Sequence, residues 1–161
     1  MPMTSDPALE PLNRLVGTWT TEATHPAIPG VVVNGVTIIE WWEGERFLIL
    51  RARTDHPDFP DAISIIGFTD RDRVDDPPRI HSTAAKPPLS MHSFDSRGVF
   101  RVLDVDIDDE SWRLSREASG FSQRFTGRFT DSGDTIVGRW QLCQDQLRWD
   151  DDLEITYRRR R

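Results

Sequence analysis

Apolar and polar residues alternate along much of this chain, in short runs separated by compact turn signals. The clearest stretch extends from Val99 to Tyr157 and contains five such runs. The turn signals between them are Asp108-Asp109, Ser119-Gly120, Ser132-Gly133 and the region of Asp145-Gln146. Alternation with a period of two is typical of strands that bury one face, and short turns connect such strands in antiparallel order. The pattern therefore predicts a β-meander with one apolar and one polar face.

Pairing the runs across these turns predicts a strand register. Across the first turn we expect the pairs Arg101–Arg116, Leu103–Leu114 and Val105–Trp112. Across the next two turns we expect the pairs Arg116–Gln123, Leu114–Phe125, Phe125–Trp140 and Phe129–Ile136. The apolar face then contains a short polar row, which consists of Arg101, Arg116 and Gln123. A sheet with one apolar face must close on itself or be covered.

The first half of the chain predicts the same kind of structure. A helical turn capped by Ser5 or Asp6 extends to about Leu15, and Gly17-Thr18-Trp19 opens the first strand. A hairpin follows around Glu43-Gly44, with strands at 31–42 and 45–54. Further strands are expected at 62–69, 79–85 and 89–94, the last two joined by a turn at 86–88. About ten antiparallel strands in serial order favour an all-β, up-and-down barrel that encloses one small ligand.

Length, composition and charge narrow the class of protein. The 161 residues are expected to form a single domain spanning 1–161, with 37% hydrophobic and 29% charged residues. The net charge of −7 argues against a nucleic-acid partner, because such a partner requires an excess of positive charge. No apolar run is long enough to span a membrane. Cys143 is the only cysteine, which suits a reducing cytoplasm.

Three features together resemble the calycin superfamily, which includes the lipocalins and the fatty-acid-binding proteins. They are the helical turn before Gly17-Thr18-Trp19, an arginine-bearing last strand at Ile155–Arg158, and the serial meander. The segment Leu12–Trp19 is also similar to the opening segment of nitrobindin-like proteins and of uncharacterised bacterial lipocalin-like families. Phe121–Gly127, followed by Gly138-Arg139-Trp140, resembles the C-terminal half of the latter families. The resemblance covers essentially the whole chain and implies a barrel with an internal pocket, in which an arginine returns to Trp19.

In nitrobindins the resemblance also implies a ferric haem that is held by a histidine near the C-terminus. This chain departs from that pattern, because its histidines are His25, His56, His81 and His92. No cofactor is therefore predicted, and haem held by another ligand, such as His81, His92 or Tyr157, stays open as an alternative. His81 and His92 are expected to be neighbours, but no third metal ligand accompanies them.

The pair Arg101 and Arg116 carries the clearest candidate chemistry. Like charges directly opposite each other on an apolar face are destabilising, and a buried guanidinium needs a partner. One interpretation is an anion clamp for a ligand carboxylate or phosphate, with Gln123 beside it. Fatty-acid-binding proteins, which the chain resembles, use interior arginines in this way. The alternatives are an internal salt bridge to Asp151, expected opposite Trp140, and exposure at the barrel rim.

The sequence predicts a binding protein for a small, largely apolar ligand, with an anionic head held by Arg101, Arg116 and Gln123. The expected pocket wall consists of Trp41, Leu50, Leu103, Leu114, Phe125, Trp140 and Tyr157. Trp19 is expected to be a structural plug. Gly127 and Gly138 fall opposite each other on the inner face, where they make room for a ligand or mark strand bending. Two other functions stay open: an enzyme on the same barrel, and a filled barrel that acts through its surface or as a homodimer.

Overall fold

The computed structural model describes residues 1–69 and 88–161, and strands dominate this part of the chain. A short 3-10 helix spans Glu10–Leu15. The strands that follow are β1 Gly17–Thr24, β2 Val33–Trp41, β3 Leu48–Thr54, β4 Ala62–Phe68, β5 Leu89–Asp95, β6 Phe100–Ile107, β7 Ser111–Arg116, β8 Ser122–Thr130, β9 Thr135–Cys143 and β10 Asp150–Arg159. The strand predicted at 79–85, its turn at 86–88 and His81 lie outside the described residues.

The ten strands form a closed antiparallel barrel in serial order. Each strand pairs with the next one along the chain, and β10 closes the barrel by pairing with β1. Trp19 lies opposite Arg159 in this closing pair. The predicted all-β, up-and-down barrel with a short N-terminal helical turn is confirmed.

The predicted register is correct for two hairpins and wrong for a third. Arg116 pairs with Gln123, and Phe125 pairs with Trp140, as expected. Val105, however, pairs with Leu114 rather than with Trp112. The carboxylate of Asp108 accepts hydrogen bonds from the backbone N–H groups of Glu110 and Ser111, both at 2.8 Å, so Asp108 begins this turn instead of occupying its centre.

This shift of two residues separates Arg101 from Arg116. Because side chains alternate between faces, a shift by two keeps both residues on the inner face. Arg101 pairs with Ser93 of β5, and the paired residues of β6 and β7 begin at Asp104 and Ser115. The prediction that Arg101 and Arg116 lie directly opposite each other is therefore wrong.

The predicted position of Asp151 is also wrong. Asp151 pairs with Gln141, and its carboxylate accepts a hydrogen bond of 3.0 Å from the Gln141 side chain on the outer surface. A register shift between Asp151 and Glu154 interrupts the pairing with β9. Asp151 is exposed and does not form the internal salt bridge considered for the arginines.

One end of the barrel is closed by the 3-10 helix and Trp19. Leu12, Leu15 and Trp19 have no exposed surface, and the indole N–H of Trp19 donates to the carbonyl of Leu15 at 2.8 Å. The expected structural role of Trp19 is confirmed. The arginine that returns to it is Arg159, whose guanidinium carbon lies 4.1 Å from the centre of a Trp19 ring. Arg158, in the segment that carried the prediction, is exposed and pairs with Glu22.

Arg159 also joins several backbone segments at this end. Its guanidinium donates to the carbonyls of Val16 and Arg14, the latter at 2.8 Å, and it pairs with Asp134 at 3.1 Å. Gly17 makes this approach possible, because a Cβ atom there would lie 2.6 Å from Nη1 of Arg159. The backbone of Gly17 also has a φ of +146°, which disfavours other residues.

The inner glycines make room for a side chain of the core. A Cβ atom on Gly138 would lie 2.5 Å from the ring of Phe125, and one on Gly127 would lie 3.0 Å from the same ring. Phe125 is 1% exposed. The space beside the two glycines is therefore occupied by Phe125 and not by a ligand, and strand bending at this pair stays a prediction.

We expect Arg159→Ala to lower the free energy of unfolding by about 2–4 kcal/mol, because buried carbonyls lose a charged donor. Urea unfolding followed by tryptophan fluorescence measures this loss. Arg158→Ala is the matched control and should change stability by less than about 1 kcal/mol, since its ion pair is exposed. Equal effects of the two substitutions would contradict the assigned role of Arg159.

We expect Gly138→Ala to destabilise the protein by about 1–3 kcal/mol, because the added methyl group collides with the Phe125 ring. Val137→Ala removes an outward-facing side chain at the neighbouring position and serves as the control. Both are measured by urea unfolding. A Gly138→Ala variant as stable as the parent protein would show that Phe125 does not need this space.

Candidate functional site

The 3-10 helix Glu10–Leu15 and Trp19 form a plug that closes one end of the barrel. The half of the barrel opposite this plug contains a cavity of about 320 Å³. It is open near the loop between β3 and β4, where Phe59 and Pro60 line it, and near the turn between β5 and β6, where Val99 lines it. Ligand pockets of proteins commonly range from about 300 to 1,000 Å³, so this cavity suits a small molecule. The interior is therefore filled at one end and hollow at the other.

One wall of the cavity is aromatic. It is formed by Trp112 of β7, Trp140 of β9 and Tyr157 of β10, with Leu114 and Ile155 beside them. The rings of Trp112 and Tyr157 meet edge to face, with centroids 6.3 Å apart. Tyr157 also meets Trp19 edge to face at 6.5 Å, which places it at the boundary between the cavity and the plug.

Three hydroxyl-bearing side chains, on β2, β4 and β5, form a polar strip in the cavity lining. Thr37 of β2, Ser64 of β4 and Ser93 of β5 line the cavity together with Leu50 and Met91. The hydroxyls of Ser64 and Ser93 lie 3.1 Å apart and form a hydrogen bond. The interior thus offers hydroxyl groups as well as aromatic surface.

Arg101 lies at the mouth of the cavity. It is half-buried, and its guanidinium carbon lies 5.0 Å from the centre of the Phe121 ring. Within residues 1–69 and 88–161, its guanidinium has no hydrogen-bond acceptor and no carboxylate within ion-pair distance. Burial lowers the pKa of Arg101, and the positive charges of Arg116 and Arg97 lower it further. An anion bound at this point would offset both effects.

The two carboxylates that line the mouth already have partners. Asp95 pairs with Arg97 at 2.7 Å, and the hydrogen bond from Arg97 is the main cause of its lowered pKa. Asp152 accepts a hydrogen bond of 2.6 Å from Nε2 of His25. The other ring nitrogen of His25 accepts the backbone N–H of Ala27, which assigns the proton to Nε2. Both carboxylates favour the charge of Arg101 from a distance without contacting it.

Arg116 and Gln123 have different positions relative to the cavity. Gln123 lines it and is 9% exposed, and its side-chain amide has no hydrogen-bond partner among the residues described. Arg116 lies outside the lining and donates to the carbonyl of Phe121 at 3.0 Å. This bond stabilises the segment that carries the Phe121 ring beneath Arg101.

The structure brings together part of the predicted site. Four of its seven residues line the cavity: Arg101, Gln123, Trp140 and Tyr157. Besides Arg116, two aromatic residues lie outside the lining. Trp41 is 5% exposed and donates from its indole N–H to Asn13 at 2.8 Å, and Phe125 packs between Trp112 and Trp140.

Several lining residues were missed by the sequence-based prediction. Ser64 and Ser93 are in phase with the inner apolar positions of their strands, and this phase is a signal that the sequence does contain. Trp112 was expected on the apolar face as either core or pocket wall, and it lines the cavity. Asp152 carries no such signal, because the irregular pairing at the start of β10 decides its position.

Tyr157 is the only tyrosine of the chain. Its hydroxyl has no hydrogen-bond partner within the described part, and its remaining accessible surface faces the cavity. Burial raises the pKa of Tyr157 to about 12. The neutral phenol is therefore strongly favoured near neutral pH, where it is available as a hydrogen-bond donor.

The alternative haem ligands are placed as follows. His92 lies on the outer face of β5 and stacks on Phe100, with ring centroids 6.1 Å apart, so it does not reach the interior.

Among the residues described, no group of three metal-ligating side chains is present. In the same residues, no helix is long and apolar enough to cross a membrane.

We expect the ultraviolet absorbance of the phenolate to titrate near pH 12 in the folded protein, against an ordinary value of 10.0. Between these values the unfolded state loses the proton and the folded state retains it, so stability falls as the pH rises above about 10. Circular dichroism identifies the range in which the protein stays folded. A midpoint near pH 10 in the folded state would contradict the buried position of Tyr157.

Comparisons with known proteins identify the fold. No family model matches the sequence, and no curated protein is significantly similar to it. The solved structure of Rv2717c from M. tuberculosis superposes with a TM-score of 0.64 at 15% sequence identity. The match covers 99% of this chain and 100% of the other. This similarity supports a closed antiparallel barrel as the fold of the chain.

Proposed function

We propose that the barrel binds a small, largely apolar molecule in its interior and holds the anionic head of that molecule at Arg101. The observation that carries this proposal is the state of Arg101, which is half-buried in the cavity lining and has no carboxylate partner among residues 1–69 and 88–161. In this account the protein is a binding protein rather than an enzyme.

The electrostatics of the mouth support an anionic ligand. A charge that is partly removed from water is unfavourable unless a partner compensates for it. The nearby charges of Arg97 and Arg116 add repulsion to this cost. A carboxylate, sulfonate or phosphate supplies the missing partner, and the planar guanidinium matches such groups with two parallel hydrogen bonds.

The remaining lining supports an apolar body for the ligand. Leu50, Leu103 and Leu114 line the cavity, and the aromatic wall adds a large apolar area. Gln123 lines the same cavity and offers an amide as a second polar contact. The likeness of the sequence to lipocalins and fatty-acid-binding proteins agrees with this assignment, since those barrels bind ligands inside.

The chemistry of the lining gives less support to the alternatives. The pKa of Asp95 is lowered rather than raised, so its carboxylate is a poor general acid. A filled barrel that acts only through its surface does not explain the open half of the interior.

We expect the protein to bind 2-naphthoate or decanoate more tightly than the matching neutral alcohols, 2-naphthalenemethanol and decanol. Arg101→Leu should reduce the affinity for the acid about tenfold or more, because a charge-assisted contact is lost, and should leave the alcohol unaffected. Isothermal titration calorimetry measures both.

Arg53→Leu is the matched control, because Arg53 is an exposed arginine on the outer face of β3. It should leave the binding of both acids unchanged. Two results would contradict the proposal: failure of both acids to bind, or the same affinity for the acid in the parent protein and in Arg101→Leu.

A further inference from the structure

We infer that the cavity is shaped for a short, flat acid, which consists of a ring system with its acidic group at the mouth and a hydrogen-bond acceptor at its inner end. The inference rests on the proposed function, since it assumes that Arg101 holds the acid. The proposed function specifies only an apolar body and an anionic head. Here the body is a flat ring system, the far end carries an acceptor, and long aliphatic chains are disfavoured.

The depth of the cavity limits the length of the ligand. On β10 the lining extends from Asp152 to Tyr157, and on β6 it ends at Leu103. At about 3.3 Å per residue, five steps along β10 correspond to about 16 Å, and the tilt of barrel strands makes the depth smaller. Beyond this point the interior is filled by side chains such as Phe125 and Trp19, which are 1% and 0% exposed.

The shape of the lining favours a planar body. Trp112, Trp140 and Tyr157 present rings to the cavity from β7, β9 and β10. Aromatic groups gain from offset-stacked or edge-to-face contact with another ring, beyond the area that they bury. A flat ring system can contact this wall with one of its faces, whereas a flexible chain must lose more conformational freedom to do so.

The polar strip disfavours a purely aliphatic ligand. Thr37 and Ser64 are buried, at 5% and 8% exposure, and both line the cavity with Ser93. The bond between Ser64 and Ser93 uses only part of their hydrogen-bonding capacity. An alkyl chain packed against the strip would exclude water from the remainder and from Thr37, and it would offer no hydrogen bond in return. A ring with polar atoms on its edge can offer such bonds.

Tyr157 supplies a donor at the inner end. Its hydroxyl is unpartnered among the described residues, and its ring separates the cavity from the plug. Arg101 lies at the other end, next to the turn between β5 and β6. A ligand that satisfies both groups carries an anion at one end and an oxygen or nitrogen acceptor at the other.

The test compares three probes by isothermal titration calorimetry: 6-hydroxy-2-naphthoate, 2-naphthoate and hexadecanoate. We expect both naphthoates to bind more tightly than hexadecanoate, and the hydroxylated one to bind most tightly. Tyr157→Phe retains the ring and removes the hydroxyl. It should weaken 6-hydroxy-2-naphthoate about three- to tenfold and leave 2-naphthoate within about twofold.

The outcomes separate this inference from the proposed function. Hexadecanoate binding more tightly than the naphthoates, and still depending on Arg101, would overturn the inference and leave the proposed function standing. An equal loss of both naphthoates in Tyr157→Phe, with an unchanged unfolding curve, would overturn the role of the hydroxyl. If no probe binds to the parent protein, both proposals fail.

Discussion

The contact between Arg159 and Trp19 is the constraint on which the rest of the barrel depends. It joins the last strand to the first, and the same guanidinium donates to the carbonyls of Arg14 and Val16 behind the plug helix. A closed barrel has no edge strands, but closure requires that its first and last strands stay in register. One half-buried side chain thus joins the seam of the barrel to the helix that seals it.

Sealing one end divides the interior into two halves with different physical character. In the sealed half, close packing extends to Phe125, which fills the space left by two glycines. In the other half the strands keep their inward-facing side chains, and a cavity remains between them. Arg101 lies at its rim, where desolvation is partial and the two carboxylates of the cavity lining, Asp95 and Asp152, already have partners. The positive charge of Arg101 therefore has no neutralising partner among the described residues, and perturbed charges of this kind are common in binding sites.

The sequence predicts most of this fold because its alternation is regular and two of its turns are centred on Ser-Gly pairs. Ser119-Gly120 and Ser132-Gly133 lie at the centres of their turns, so the pairs Arg116–Gln123 and Phe125–Trp140 follow from counting. Counting fails at Asp108, whose side chain caps the turn and moves its centre by one residue. The cavity is harder to predict, because alternation shows which residues face inward but not how deep the packing extends. Trp41 and Arg101 both face inward. Trp41 belongs to the core because it lies at the end that the plug closes, whereas Arg101 lies at the rim of the open end.

Mass spectrometry of the small molecules released from the natively purified protein, compared with those released from Arg101→Leu, shows directly whether Arg101 holds an acid. We expect an acid to accompany the parent protein in near-stoichiometric amount and to be lost from the variant. If the same molecule is released in equal amount from both proteins, or only a neutral compound is released, Arg101 does not hold an acid.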